Sequence, residues 1–200
     1  MQPFYLIPCH YIRSMSTTIW GNRPDEKALV DACLSGQRTA QAKLYDQYSQ
    51  AMYNICLRMV SLPEEAEDLL QESFVDVFSH LQSYRHESTL GAWIKRIVVN
   101  RCINRLKSRK IQLTELTSNH EPPPEKEDGY DFDDDDLRVT KIKKAITLLP
   151  DGYRTVLSLY LFEGYDHAEI GEILNISEET SKSQYSRAKV KLKELIVQLK

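Results

Sequence analysis

The sequence predicts an all-α protein: two small helical domains joined by a flexible acidic linker. Three observations predict it. Apolar residues recur at three- and four-residue spacing along most of the chain, and no stretch shows the strict alternation of a half-buried strand. A Pro-containing acidic run separates two such helical blocks. Finally, 200 residues with 42% hydrophobic content suffice for one or two small domains with cores. The predicted layout is a loose extension over residues 1–24, a first domain over 25–110, a linker over 111–138 and a second domain over 139–200.

Residues 1–24 show no periodicity. The apolar cluster at 4–9 is too short for a signal peptide and lacks the preceding positive charge, and Met15 offers an alternative start. Residues 25–34, ended by Gly36, read as a short helix with Leu29, Val30 and Cys33 inward. From 37 to 60, Leu44, Tyr45, Tyr48, Met52, Ile55, Cys56 and Met59 repeat at helical spacing. Pro63 suits the first turn of the next helix, where Glu64, Glu65, Glu67 and Asp68 complement the helix dipole. Ala66, Leu69, Leu70, Phe74, Val77, Phe78 and Leu81 form its inner stripe up to Ser83.

A polar connector over 82–89 leads to a long helix that reaches Lys110, with Ser88 or Thr89 as its cap. Its first half carries Leu90, Trp93, Ile94, Ile97 and Val98, with Trp93 assigned to the core. In its second half the same side carries Asn100, Arg101, Asn104, Arg105 and Ser108, while Val99, Cys102, Ile103 and Leu106 face elsewhere. Residues 91–110 hold 7 basic and no acidic side chains. A merely solvated face would mix Glu with Lys; this one offers the amide and guanidinium donors that phosphates and base edges require.

Charge is segregated along the rest of the chain as well. Residues 25–90 hold 5 basic and 11 acidic residues, 111–138 hold 2 and 10, and 139–200 hold 10 and 8, within a net charge of −3. Such alternating blocks suggest contact with both nucleic acid and a second partner. Pro122, Pro123, Pro124 and the aspartates at 133–136 mark the linker as extended. It reads as a solvated spacer, or as a polyanion that occupies a basic nucleic-acid channel or shields the basic domains.

In the second domain Val139, Ile142, Ile146 and Leu149 repeat at helical spacing before Pro150. A helix over 153–162 would bury Val156, Leu157, Tyr160 and Leu161. Then comes DHAEIGEILN over 166–175. Asp166 and Glu169 form a capping-box pattern, Asn175 tolerates the left-handed conformation of a helix C-terminus, and Ser177 can cap a second helix. Gly171 lets that helix cross closely. The layout is a helix-turn-helix, whose second helix enters the DNA major groove.

The four cysteines, Cys9, Cys33, Cys56 and Cys102, form no Cys-x-x-Cys pair. They fit neither a zinc site nor a disulfide framework, and they suit a reducing cytoplasm. No apolar run approaches the ~20 residues of a membrane span. The histidines at 10, 80, 86, 120 and 167 have no metal or nucleophile-pair spacing, and phosphate-binding glycine loops are missing. No cofactor, metal or catalytic residue is predicted.

Two sets of motifs, in order, carry a family likeness. The first is AEDLLQESF over 66–74 and LGAWIKRIVVN over 90–100 with its basic tail; the second is LLPDGYR over 148–154, EIG over 169–171 and TSKSQYSRA over 180–188. With them the chain resembles an extracytoplasmic-function (ECF) sigma factor, the minimal two-domain specificity subunit of bacterial RNA polymerase. The likeness covers 25–110 and 139–200.

The resemblance implies that Asp68, Gln71 and Glu72 dock on the clamp helices of the polymerase β′ subunit. It implies that Tyr84, Arg85, His86 and Ser88 receive a flipped base of the −10 element, with Asn100, Arg101, Asn104 and Arg105 holding bases and backbone. Thr180, Lys182, Ser183, Gln184 and Arg187 would read the −35 element, and the apolar surface of the second domain would meet the β-flap. Core RNA polymerase, promoter DNA and a membrane-anchored anti-sigma factor are the implied partners, without membrane insertion of this chain. Ser181 stands where the family usually has an apolar residue, and Asn175 replaces the commoner Gly. The competing reading is a stand-alone helix-turn-helix regulator with a helical sensor domain, but the first half shows no receiver or ligand pocket.

Overall fold

The computed structural model describes residues 26–115 and 134–199, with side chains over 26–109 and 139–199. Every element among them is helical. The predicted extension, Met15, Cys9 and residues 116–133 of the predicted linker lie outside the described residues. The chain divides into two compact units between Arg105 and Leu106, whereas the sequence places the domain end at 110.

The first unit holds α1 (Glu26–Leu34), α2 (Arg38–Val60), α3 (Pro63–His80), a 3-10 turn (Leu81–Ser83) and most of α4 (Leu90–Glu115). Its core is the stripe the periodicity predicts: Leu44, Met52, Met59, Leu69, Leu81, Leu90 and Ile94 are almost wholly buried. Each such side chain contributes about 1.5–3 kcal/mol of apolar burial. Tyr45 meets Phe74 edge-on at 4.7 Å, locking α2 to α3. On the other flank the Cys102 and Cys56 sulfurs lie 3.8 Å apart, joining α4 to α2. Cys33, Cys56 and Cys102 are buried free thiols, and burial pushes the Cys33 thiol above its usual range. Ser61 closes α2 in the left-handed conformation (φ 61°), its N–H donating to the Leu57 carbonyl.

The second unit holds α5 (Asp134–Thr147), α6 (Asp151–Leu161), α7 (His167–Leu174) and α8 (Glu178–Gln198). Leu149, Leu157 and Ala188 form its centre, with Tyr153, Leu192 and Leu195 packed around them. Arg154 explains why a cation stands in LLPDGYR. It is 3% exposed, donates to the carbonyls of Thr147 (3.2 Å) and Leu149 (2.7 Å), and pairs with Asp151. A single guanidinium thus satisfies the carbonyls at the end of α5 and fixes the start of α6.

Four sequence expectations are corrected. Helix α4 continues through Glu115 and α5 starts at Asp134, so both ends of the predicted extended linker are helical. In α6 the buried run is 154–159; Leu159 is inside, while Tyr160 and Leu161 are exposed. The helix packs against both α7 and α8, so burial over 154–159 runs round the helix instead of along one stripe. Val139 and Ile142 are exposed, and burial in α5 begins only at Ala145. Trp93 is only partly buried, not core.

Candidate nucleic-acid interface

The helix-turn-helix forms as its local chemistry requires. The Asp166 carboxylate accepts from the Glu169 N–H at 2.8 Å, and the Glu169 carboxylate accepts from the Asp166 N–H at 2.7 Å, completing the capping box. Asn175 ends α7 at φ 57° and ψ 51°. A Cβ added at Gly171 would lie 2.9 Å from the Ile176 carbonyl oxygen, so the absent side chain allows the turn to fold back over α7. Ser177 then caps α8, accepting from the Thr180 N–H at 3.0 Å.

Ser181 is fully buried, and His167 Nδ1 meets its hydroxyl at 3.0 Å. The polar residue at this apolar family position is therefore inside the motif and satisfied. His167 also stacks on Tyr160 at 4.5 Å, and Tyr160 lies 4.6 Å from Tyr185, so aromatic contacts join α6, α7 and α8. Of the residues predicted to read DNA, Lys182, Ser183 and Arg187 are exposed and Thr180 and Gln184 half-buried, all on α8. The Lys182 ammonium is 2.6 Å from Glu178, and this hydrogen bond raises its pKa. Ser183 donates to the Thr180 carbonyl at 2.9 Å, and the Thr180 hydroxyl lies 2.9 Å from that of Ser177.

In the first unit, Val98, Val99, Cys102 and Ile103 anchor α4 in the core. That leaves Asn104 exposed and Asn100, Arg101 and Arg105 partly so. The two arginines lie against α3: Arg101 meets Asp76 at 2.7 Å and Glu72 at 3.8 Å, and Arg105 meets Glu72 at 3.2 Å. The four side chains are 27–43% exposed, so water screens these pairs and each contributes at most about 1 kcal/mol. The structure thus brings Glu72, predicted for a protein partner, together with arginines predicted for DNA. Asp68 and Gln71, on the same helix, are exposed. Asp76, which the sequence reading missed, stands one turn beyond Glu72; its four-residue spacing was the available signal.

The connector over 84–89 departs from the prediction at one residue. Arg85 and His86 are exposed and Ser88 partly so, but Tyr84 is 7% exposed. Its hydroxyl lies 2.7 Å from Glu26 Oε1 and 2.6 Å from the Ser88 carbonyl oxygen. Burial, followed by the Glu26 hydrogen bond and charge, holds the phenol well above its usual range, so it stays a donor. The Tyr84 ring also meets those of His86 (4.5 Å) and Trp93 (5.5 Å). The buried Glu26 is a second residue the sequence reading missed, and a lone glutamate at a helix start gave no signal of its partners.

Among the described residues no group of three His, Cys, Asp or Glu could hold a metal ion. No described helix is long and apolar enough to cross a membrane.

Comparison with known proteins places the chain in a family. The model of Sigma-70 region 2 matches residues 44–111, and that of Sigma-70 region 4 matches 140–192. The ECF RNA polymerase sigma factor SigW of Bacillus subtilis is 29% identical over 178 residues, covering 84% of this chain and 94% of SigW. SigM of the same organism is 30% identical over 164 residues, covering 76% and 93%. In structure, the sigma factor RpoE of Bartonella quintana, solved in complex with the anti-sigma factor NepR, aligns at TM-score 0.53 and 21% identity, covering 80% of this chain and 98% of RpoE. CnrH, solved with the cytosolic domain of CnrY, aligns at TM-score 0.50 and 18% identity, covering 88% and 99%; both likenesses bear on the fold. Two region matches in order do not favour a stand-alone regulator, which would need only the second. The chain belongs to the ECF family of RNA polymerase sigma factors and is an alternative sigma factor, a subunit that directs transcription initiation at promoter DNA.

Proposed function

We propose that the two units divide the promoter between them, with residues 25–110 binding core polymerase and opening the −10 element and residues 139–200 reading the −35 element. The observation that carries this reading is the polar side of α4, where Asn100, Arg101, Asn104 and Arg105 stay at the surface in a stretch without acidic residues. Donors of this kind hold the backbone and edges of a single strand. Arg85, His86 and Ser88 present donors to an extruded base, with Tyr84 as the inward post behind them. On α8, Lys182, Ser183, Gln184 and Arg187 face the major groove, and Thr180 lies at the helix start where base contacts concentrate. Asp68 and Gln71 offer the polymerase an acceptor-rich patch that Glu72 completes.

The chain catalyses no covalent chemistry and works in the cytoplasm, where polymerase meets DNA. The linker between the units acts as a tether or a polyanion. The complexes of RpoE with NepR and CnrH with CnrY support an anti-sigma factor as a further partner here.

Changing both Arg101 and Arg105 to Ala is expected to lower open-complex yield about tenfold or more, equivalent to losing about 1.4 kcal/mol. Helical content and core binding should stay at wild-type levels. Permanganate reactivity of promoter thymines with the holoenzyme reads the yield, and unchanged reactivity sinks the assignment of α4.

A further inference from the structure

Glu26 joins three segments that are remote in sequence. It stands at the start of α1 and is 7% exposed. Its Oε1 accepts from the Leu90 N–H at 2.9 Å and lies 2.7 Å from the Tyr84 hydroxyl. The first N–H groups of a helix have no partner within it, and here they are met from two sources. Thr89 takes the Ala92 N–H at 3.3 Å, while Glu26 reaches across from another helix to take that of Leu90. The same carboxylate faces the Tyr84 hydroxyl, which also lies 2.6 Å from the Ser88 carbonyl. The connector is therefore pinched at its base, Tyr84 against Ser88, with Glu26 behind both.

The exposed tip above that pinch carries a conformation that needs support. His86 has φ 57°, in the left-handed region that non-glycine residues seldom adopt. Such a backbone persists only where its surroundings over-determine it, and here they do. The His86 ring packs on Tyr84, and Tyr84 is tied to Glu26. Arg85 and His86 are thereby presented to solvent in one arrangement.

We infer that Glu26 is a positioning residue for promoter reading: from α1, through Tyr84 and the Leu90 N–H, it fixes the 84–89 loop in the form that receives the −10 base. This rests on the proposed reading that the loop meets the −10 strand. Glu26 lies outside the span of the region 2 match, which begins at residue 44.

The test uses holoenzyme assembled from the full chain and core polymerase. The promoter is a fragment recovered by that wild-type holoenzyme from a library randomised at −10, with a 2-aminopurine reporting base extrusion. Opening is compared between this promoter and a copy with its −10 bases changed. Glu26→Ala is expected to cut the discrimination between the two about tenfold while core affinity is unchanged. Glu26→Gln, whose Oε1 can accept the same two hydrogen bonds, should restore discrimination to within about twofold. Should Glu26→Ala fail to fold, Tyr84→Phe, which keeps the ring and removes only the hydroxyl contacts, must show the same loss. Full discrimination by whichever of these variants is folded, or failure of the Gln variant to restore it, would overturn the role of Glu26. The pair Arg85→Ala and His86→Ala tests the loop itself. If that pair also leaves opening and discrimination intact, the reading of the loop fails; if it alone destroys them, only the Glu26 inference fails.

Discussion

Gly171 shows how one missing methyl group decides a turn. Alanine is the better helix former by about 1 kcal/mol, yet its Cβ would meet the Ile176 carbonyl oxygen at 2.9 Å, and backbone cannot step aside as a flexible side chain can. Gly171→Ala is therefore expected to destabilise the second unit by about 1–3 kcal/mol. Thermal unfolding followed by helical signal checks this, and an unchanged or raised midpoint for that unit contradicts it. Side chains whose partners lie three or four residues away were legible in sequence: Asp166 with Glu169, Ser177 with Thr180, and Asn175 at the helix end all hold the places their chemistry predicts. Glu26 and Tyr84 were not legible. Glu26 meets partners 58 and 64 residues away, and no local pattern encodes a contact of that span. The resemblance gave Tyr84 a flipped base to receive, but its hydroxyl has acceptors inside the fold.

At the scale of elements, α3 and α4 face each other with opposite charges, and the two arginines of the proposed −10 surface already pair with carboxylates. A phosphate that approaches Arg101 and Arg105 meets guanidinium groups already shared with Glu72 and Asp76, and competes with these carboxylates for them. Removing one carboxylate charge should ease that exchange by up to about 1 kcal/mol, since exposed pairs contribute no more. Asp76→Asn is thus expected to raise affinity for single-stranded −10 DNA in the holoenzyme about two- to fivefold at low salt. The gain should fade as salt screens the pair, and fluorescence anisotropy across a salt series measures it. Equal affinity at low salt would show that the pair does not compete with DNA. Glu72→Gln should bring the same gain together with weaker core binding, because Glu72 is also a proposed polymerase contact. The polar stripe of α4 was legible from its spacing, but the length of the helix was not. The acidic, Pro-containing character of 111–138 suggested an end at Lys110, yet residues 111–115 contain neither Pro nor Gly to stop the helix. The face of α6 was misjudged for a related reason. A single-stripe reading assumes one neighbour, and α6 has two.

For the whole molecule, each unit carries its own core and its own candidate DNA surface. Two weak contacts add strongly only when a third body holds them at the right span. The free protein should therefore bind promoter DNA at least a hundredfold less tightly than the holoenzyme in a mobility-shift comparison. Tight, sequence-specific binding by the isolated chain would instead restore the stand-alone regulator. The division into two helical blocks was legible from periodicity and the acidic run between them. The buried Cys56–Cys102 contact, in contrast, has a use outside transcription. With Cys9 changed to Ser, every remaining thiol is sealed in the first unit, so a thiol-reactive dye can label the chain only when that unit opens. The labelling rate at Cys56 and Cys102 becomes a clock for the departure of α4 from α2, readable by mass while the second unit stays folded and polymerase is bound.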